Sequence, residues 1–138
     1  MTYVESNNMN TKTKIKVMLV DDDYIFLQML KESLTEIDNI EIFTAKTGEE
    51  CVEHIDSSFK ILVLDYFLNS ENPDAQNGLE ILRQVKQIVP EIKVIVLSGQ
   101  EDGNLVYDFV RESVANYVIK DNNAFENVHK SIRDILND

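Results

Sequence analysis

The sequence predicts an α/β fold in which a doubly wound sheet of five parallel strands has helices on both faces. Short apolar runs alternate with segments of helical period from residue 15 to the C-terminus, a pattern typical of consecutive βαβ units. Three of the runs, KVMLV, KILVL and KVIVL, consist almost entirely of Val, Ile and Leu. Such runs are expected in parallel strands, because helices cover both faces of a parallel sheet.

Five apolar runs are predicted as strands. In chain order they are residues 15–20, 40–44, 61–64, 92–97 and 115–119. Crossover connections between parallel strands are right-handed in nearly all proteins, and this restricts the order in which the strands can lie. We expect the flavodoxin-like order 2-1-3-4-5.

Apolar side chains at helical spacing predict which faces of the helices contact the sheet. The stripes are Leu27, Leu30, Leu34 and Ile37 in the first helix, Leu79, Leu82, Val85 and Val89 in the third, and Phe125, Val128, Ile132 and Ile135 in the last. Thr47 followed by Glu50 is a capping-box pattern that opens the second helix, and Pro90 closes the third. The fourth helix, near 104–113, has the weakest apolar pattern, so we expect it to be the least rigid.

Length and charge limit the possible functions. The chain has 138 residues, with 13 Lys and Arg against 25 Asp and Glu, and its net charge is −12. A compact domain of this size buries roughly two-thirds of the surface that its unfolded chain exposes, so its core needs no metal or disulfide. The negative charge repels a phosphate backbone, which argues against direct binding of nucleic acid.

Other signals concern the ends of the domain and its surroundings. Residues 1–13 are rich in Asn, Thr and Ser and are predicted to be a flexible tail before a domain at 14–138. No apolar run is long enough to span a bilayer, so we expect no membrane insertion and a soluble, cytoplasmic protein. The single cysteine, Cys51, is predicted to be a small buried hydrophobic side chain. His54 and His129 have no partner ligands at suitable spacing and are predicted to be exposed or half-buried.

Polar residues follow four of the five predicted strands. Asp21, Asp22 and Asp23 follow the first strand, and Asp65, Ser98 and Lys120 follow the third, fourth and fifth. In an open parallel sheet, ligands bind beyond the carboxyl ends of the strands, so these side chains are expected to converge on one site. Singly, an Asp triplet is most often a turn or a helix cap, and a Lys at a strand end is most often solvated. Four such coincidences at the same edge favour a functional site.

The residue types at these strand ends suit phosphoryl transfer. Carboxylates about 5 Å apart repel each other by roughly 3 kcal/mol at an effective dielectric constant near 20, which favours a bound cation. Oxygen ligands without His or Cys select a hard cation, and a site with few carboxylates suits Mg²⁺. Lysine and serine can hold phosphoryl oxygens, and a carboxylate can be the nucleophile that forms an aspartyl-phosphate.

Five short motifs at these positions resemble those of the receiver domain of two-component response regulators. They are VDDD at 20–23, LVLD ending at Asp65, Gly78-Leu79 at the start of the third helix, VLSG at 96–99 and YVIK at 117–120. Each motif is weak alone, but their order along the predicted strands makes the set specific. The resemblance covers residues 14–137.

The resemblance implies a metal site and a phosphoacceptor. Asp65 is the implied acceptor, and Asp65 and Asp22 hold Mg²⁺ together with the backbone carbonyl of Phe67. Asp21 acts on the metal through water, and Asp23 is only a helix cap. Magnesium is therefore the implied cofactor.

The resemblance also implies a conformational switch. Ser98 and Lys120 ligate the phosphoryl oxygens, so Asp65, Ser98 and Lys120 are the implied catalytic residues. Tyr117 is the aromatic residue whose side chain moves inward when Ser98 is drawn toward the phosphate. The surface expected to change is formed by the predicted fourth helix, the fifth strand and the last helix, around 105–128.

Two features depart from the family pattern. Asp65 and Gly78 are 13 positions apart, several more than in most members, so the loop 66–77 is enlarged and its role is open. Lys120 is followed by Asp121, where the family commonly has a proline. We expect Asp121 to be the N-cap of the last helix.

The predicted function is that of a phosphoacceptor switch of the stand-alone, single-domain type. A histidine kinase or a histidine phosphotransfer protein would phosphorylate it, a downstream reader protein would bind it, and it would catalyse only its own phosphorylation and dephosphorylation. One alternative is a Mg²⁺-dependent phosphatase, but such enzymes usually have a second acidic residue where this chain has Phe67. The other is a degenerate receiver, against which the complete set of site residues argues.

Phe67 also leads to an expectation about the lifetime of the phosphorylated state. Hydrolysis needs a water molecule held in line with the phosphorus, and a phenyl ring offers that water no hydrogen bond. Gln100 is the competing consideration, because its amide could hold the same water. We expect occlusion by Phe67 to dominate and the phosphoprotein to be comparatively long-lived.

Overall fold

Five parallel strands form the central sheet of the computed structural model, which describes residues 13–66, 78–99 and 114–138. The strands are β1 (Ile15–Val20), β2 (Ile40–Ala45), β3 (Phe59–Asp65), β4 (Lys93–Ser98) and β5 (Asn116–Ile119). Their order is β2-β1-β3-β4-β5, and every pairing is parallel. The predicted fold class and strand order are confirmed, and each strand lies within two residues of its predicted ends.

The described helices follow the strands in chain order. α1 (Tyr24–Ser33) continues into a 3₁₀ turn (Leu34–Glu36), and α2 (Gly48–His54), α3 (Gly78–Ile88) and α4 (Ala124–Leu136) come later. The helix predicted near 104–113 lies outside the described residues. The same is true of residues 1–12 of the predicted tail and of 67–77 of the enlarged loop.

Side chains alternate along the strands, so the sheet separates two layers of the core. On β1, Met18 and Val20 belong to the layer that includes buried residues of α2 and α3, whereas Val17 and Leu19 belong to the layer that includes buried residues of α1 and α4. Helices therefore cover both faces of the sheet, as predicted. This double cover explains why the strands are apolar at nearly every position.

The register aligns the carboxyl ends of the strands at one edge of the sheet. Val20, the last residue of β1, pairs with Ala45 of β2 and Leu64 of β3. Asp65 then pairs with Leu97 of β4. The segments that follow β1, β3, β4 and β5 consequently start side by side, and this edge is where ligands are expected to bind.

Hydrogen bonds define where two of the helices begin. Thr47 Oγ1 accepts a hydrogen bond from the Glu50 N–H at 3.0 Å, as predicted for α2. The prediction for the last helix is wrong by two residues, because the N-cap of α4 is Asn123 and not Asp121. Asp121 accepts hydrogen bonds from the Asn123 N–H through Oδ1 at 2.8 Å and from the Ala124 N–H through its carbonyl at 3.1 Å. It therefore stabilises the turn before the helix.

Cys51 and the two histidines lie as predicted. Cys51 is fully buried, and burial, with a smaller effect from the charge of Glu50, raises the pKa of its thiol to about 12. His54 is exposed and His129 is half-buried. Within the described ranges, no helix has the length and apolar character needed to cross a membrane.

Candidate functional site

Three aspartates lie together at the carboxyl edge of the sheet. Asp21 and Asp22 follow β1, and Asp65 is the last residue of the neighbouring strand β3. Each offers a carboxylate oxygen, and these oxygens all lie within 4.8 Å of one another. Asp21 and Asp65 are buried, with 1% and 4% exposure, and Asp22 is half-buried. Asp22 is therefore the member of the cluster most open to solvent.

Contacts to three segments of the chain hold Asp21 in place. Its backbone N–H donates to the Ala45 carbonyl at the end of β2 at 3.2 Å. Oδ1 accepts a hydrogen bond from the Asp23 N–H at 2.8 Å, and Oδ2 lies 2.8 Å from Lys120 Nζ. A buried carboxylate needs such partners, since burying an unpaired charge is costly.

Lys120 joins the aspartates from the end of β5. Its backbone N–H donates to the Ser98 carbonyl at 2.8 Å, and Nζ also lies 3.8 Å from Asp65 Oδ2. Burial alone would lower the pKa of Lys120. The hydrogen bond to Asp21 and the negative charges of Asp65, Asp21 and Asp23 together outweigh burial, so this pKa lies above its ordinary value. The ammonium group is therefore a fixed positive charge within the acidic cluster.

The donor set of the three carboxylates fits a magnesium ion. Mg²⁺ binds oxygen ligands at about 2.0–2.1 Å in an octahedral arrangement, so opposite ligands lie about 4.2 Å apart. Oxygens within 4.8 Å of one another suit a site where some carboxylates bind directly and another acts through water. Lys120 brings one positive charge to a cluster of three carboxylates, and a bound cation would further reduce the repulsion among them.

Ser98 and Tyr117 lie on neighbouring strands and on the same face of the sheet. Ser98 is the last residue of β4 and is fully buried. Tyr117 is half-buried, pairs with Val96 and packs with it in the layer beside α2 and α3. Ser98 is two residues after Val96, so it lies on that face as well. The structure thus brings Ser98 to the same edge as Asp65 and Lys120.

Backbone contacts hold the residue after Asp65 in place. The Tyr66 N–H donates to the Leu97 carbonyl at 2.9 Å, and the Tyr66 carbonyl accepts from the Gly78 N–H at 3.2 Å. A Cβ atom on Gly78 would lie 2.7 Å from Tyr66 O and 2.8 Å from Tyr66 Cα, so glycine alone permits this approach. The start of α3 is therefore joined directly to the end of β3 beside Asp65.

Phe26 also lies beside the cluster, although no sequence motif includes it. The Lys120 ammonium nitrogen is 4.3 Å from the centroid of the Phe26 ring. The Phe26 N–H donates to Asp23 Oδ1 at 3.0 Å, which confirms Asp23 as the N-cap of α1. The sequence analysis missed Phe26. The signal that could have found it is its place in the first turn of the helix after the Asp triplet, one position before the apolar stripe.

Some of the predicted site lies outside the described residues. Phe67, whose carbonyl is predicted to bind the metal, is one case, and Gln100 is another. Residues 105–113 of the surface predicted to change belong to the same group. These assignments remain predictions.

Comparisons with known proteins cover most of this chain. A family model described as the response regulator receiver domain matches residues 17–133. The transcriptional regulatory protein DegU of Brevibacillus brevis is 27% identical over 119 residues, which cover 86% of this chain and 49% of that protein. The response regulator protein VraR of Staphylococcus saprophyticus is 28% identical over 124 residues, which cover 89% of this chain and 57% of that protein. The chain spans about half the length of these curated relatives.

A solved structure shows the same architecture over nearly its whole length. The BeF3-activated DrrB receiver domain superposes with a TM-score of 0.77 at 30% sequence identity. The match covers 91% of this chain and 99% of that one. The similarity therefore extends to the complete sheet and not only to the acidic edge.

Proposed function

Since the chain belongs to the response regulator receiver domain family, we propose that it is a phosphoacceptor switch and that Asp65 takes the phosphoryl group. The observation that carries this proposal is the Lys120 ammonium beside two buried carboxylates, 2.8 Å from Asp21 and 3.8 Å from Asp65. Such a cation is suited to hold the oxygens of a phosphoryl group on a neighbouring carboxylate. Asp65 is the last residue of β3 and corresponds to the acceptor position of the family motif, whereas Asp21 lies 2.8 Å from the Lys120 ammonium and accepts a hydrogen bond from the Asp23 N–H.

The proposed reaction moves a phosphoryl group from a phosphorylated histidine of the donor protein. A carboxylate oxygen of Asp65 attacks the phosphorus and forms the O–P bond of an aspartyl-phosphate. The P–N bond to the imidazole breaks, and its electron pair stays on the nitrogen. Lys120 and Ser98 bind phosphoryl oxygens, Lys120 through its charge and Ser98 through its hydroxyl group. Water later hydrolyses the acyl phosphate, so the protein acts only on its own phosphorylation state.

Magnesium is the proposed cofactor. Asp22 and Asp65 would bind it directly together with the backbone carbonyl of Phe67, and Asp21 would act through water. When bound, the ion would neutralise charge on the oxygens of the transferring group. The purely carboxylate donor set within the described residues and the spacing of its oxygens support a hard cation over a softer metal.

The proposed partners follow from this chemistry. The donor is a histidine kinase or a histidine phosphotransfer protein. The reader protein binds the surface formed by the predicted fourth helix, β5 and α4, which shifts when Ser98 and Tyr117 rearrange around the phosphate. We further propose that residues 14–138 are the receiver domain of a cytoplasmic protein, without direct nucleic-acid contact or membrane insertion.

Phosphorylation by acetyl phosphate tests the assignment of Asp65. We expect the wild-type protein with Mg²⁺ to gain one phosphoryl group by intact-protein mass spectrometry. Asp65→Asn should gain none, since an amide is not an anionic nucleophile. Asp56→Asn is the matched control, because Asp56 is exposed and precedes β3 at the opposite end of that strand. A phosphoryl group retained in Asp65→Asn would assign the acceptor to another residue.

A further inference from the structure

Lys120 has an aromatic neighbour as well as two carboxylate neighbours. Its ammonium nitrogen lies 4.3 Å from the centroid of the Phe26 ring, inside the range of roughly 6 Å for attraction between a cation and an aromatic face. The Lys120 side chain is only 21% exposed, so water screens this attraction weakly. The ammonium therefore has fixed groups of two kinds around it, a ring and the carboxylates of Asp21 and Asp65.

The Phe26 ring is itself held by two helices. Its backbone is fixed by the N-cap of α1, where the Phe26 N–H donates to Asp23 Oδ1 at 3.0 Å. Its ring contacts the ring of Phe125 in α4, with 5.2 Å between the centroids and a tilt of 49°. The ring is thus a rigid surface against which a flexible lysine side chain can be ordered.

We propose that Phe26 is a positioning residue for Lys120, whose ammonium it restricts to the space beside Asp21 and Asp65. Ordering a lysine side chain costs conformational entropy, and a contact formed before the reaction offsets this cost in advance. The residue after Lys120 is Asp121, whose carboxylate accepts a hydrogen bond from the Asn123 N–H. The contacts that order the Lys120 ammonium are therefore those with Phe26, Asp21 and Asp65. The catalytic consequence rests on the proposed function, whereas the placement of the ammonium does not.

A double-mutant cycle on folding stability tests the placement without any phosphorylation. Phe26→Leu and Lys120→Met are made singly and together, and each protein is unfolded in urea. We expect the unfolding equilibrium constants to depart from additivity by roughly two- to fivefold, as for a typical pair of a cation and an aromatic ring. If Phe26→Leu fails to fold, Phe26→Met replaces it, because it keeps much of the volume without the aromatic face.

Phe125→Leu supplies the matched cycle. This variant removes the Phe125 ring from the contact between Phe26 and Phe125. It therefore causes a similar loss of packing but keeps the Phe26 ring that contacts Lys120. We expect the coupling between Phe125→Leu and Lys120→Met to be clearly smaller than the coupling in the Phe26 cycle, because the Phe26 ring loses one support but stays beside Lys120. Additivity in the Phe26 cycle, or equal coupling in the Phe125 cycle, would overturn the proposal.

The rate of phosphorylation by acetyl phosphate tests the catalytic consequence. We expect Phe26→Leu to be roughly two- to fivefold slower at saturating Mg²⁺, with unchanged apparent affinity for Mg²⁺. Phe26→Tyr keeps the aromatic face and should react at close to the wild-type rate, and Phe125→Leu should be slowed less than Phe26→Leu because the Phe26 ring is still present. Coupling with an unchanged rate in Phe26→Leu would refute the positioning role. If the Phe26 cycle shows coupling but the wild-type protein takes no phosphoryl group, the placement of the ammonium is supported and the phosphoacceptor function is rejected.

Discussion

Lys120 and Asp21 compensate each other, and either one alone would be a buried or half-buried charge without its closest partner. Removing one member of such a pair is destabilising because the other charge stays in place. Asp65 adds a second carboxylate at 3.8 Å from the same ammonium. A single lysine therefore links the ends of β1, β3 and β5 at the site.

The raised pKa of Lys120 predicts how its contribution to stability varies with pH. A lysine with a higher pKa in the folded state than in the unfolded state stabilises the fold fully below its ordinary value of 10.5. That contribution is lost as the pH rises through the folded-state pKa. We expect wild type to lose more stability in urea unfolding than Lys120→Met between about pH 9.5 and pH 11.5. Both proteins contain Cys51, so titration of its thiol cancels, and equal losses would contradict the prediction.

The burial of Cys51 predicts a thiol that is inert in the native protein. Its pKa of about 12 leaves almost no thiolate near pH 8, and the side chain is fully buried. We expect iodoacetamide to modify Cys51 slowly in buffer and rapidly in urea, as followed by mass spectrometry. Equal rates under the two conditions would show that the thiol is accessible in the fold.

At the scale of elements, the sequence predicts strands better than helix ends. A strand covered on both faces must be apolar along most of its length, so the runs in the sequence mark it closely. The start of α4 is harder to predict, because Asp121, Asn122 and Asn123 all cap helices well. Which of them does so depends on how the turn leaves β5, and this is set by packing that one sequence does not reveal.

The same limit applies to the site. Its acidic and basic members follow predicted strands, and strand order places Asp21 and Asp65 on neighbouring strands. Lys120 follows β5, on the far side of β4, and reaches both carboxylates through its long side chain. Phe26 is different, because an aromatic residue near the start of a helix is most often part of the core. Its distance to the Lys120 ammonium depends on how α1 and α4 pack, which is known only from the three-dimensional structure.

The close contact between Gly78 at the start of α3 and the Tyr66 backbone after β3 predicts that Gly78→Ala is destabilising. The new Cβ atom would meet the Tyr66 backbone at 2.7–2.8 Å, and a clash with backbone can be relieved only by moving an element. We expect a loss of about 1–3 kcal/mol in the free energy of unfolding, measured in urea. Gly99→Ala is the control, since a Cβ at Gly99 has nothing within 4 Å and should cost little. Similar losses of stability in both variants would show that the close contact of Gly78 with Tyr66 is not the cause.

For the whole molecule, the acidic cluster predicts that Mg²⁺ stabilises the fold. A ligand that binds only the folded state adds RT ln(1 + [L]/Kd), or roughly 1.4 kcal/mol at ten times Kd, which raises Tm by a few degrees. Thermal unfolding with and without millimolar Mg²⁺, at constant ionic strength, measures the effect. Because the net charge is −12, constant ionic strength is needed to remove general screening.

Two variants distinguish the site from the rest of the acidic surface. Asp22→Ala should abolish the rise in Tm, because Asp22 belongs to the carboxylate cluster. Asp56→Ala should retain it, since Asp56 is exposed and precedes β3 at the other end of the sheet. A wild-type Tm that is indifferent to Mg²⁺ would show that the cluster is not a magnesium site.

The hydrogen bond between Tyr66 and Gly78 holds together the two ends of the 11-residue segment between them, so this segment is a closed loop in the polymer sense. The entropy cost of closing such a loop grows only with the logarithm of its length, by about 0.6 kcal/mol per doubling. The pairing of β3 with β4 and the contact of Gly78 with Tyr66 fix the two ends of the loop. A change in the length of the loop should therefore cost little stability. Insertions or deletions in this segment, which starts two residues after Asp65, are therefore expected to change the chain beside the site while costing the fold little.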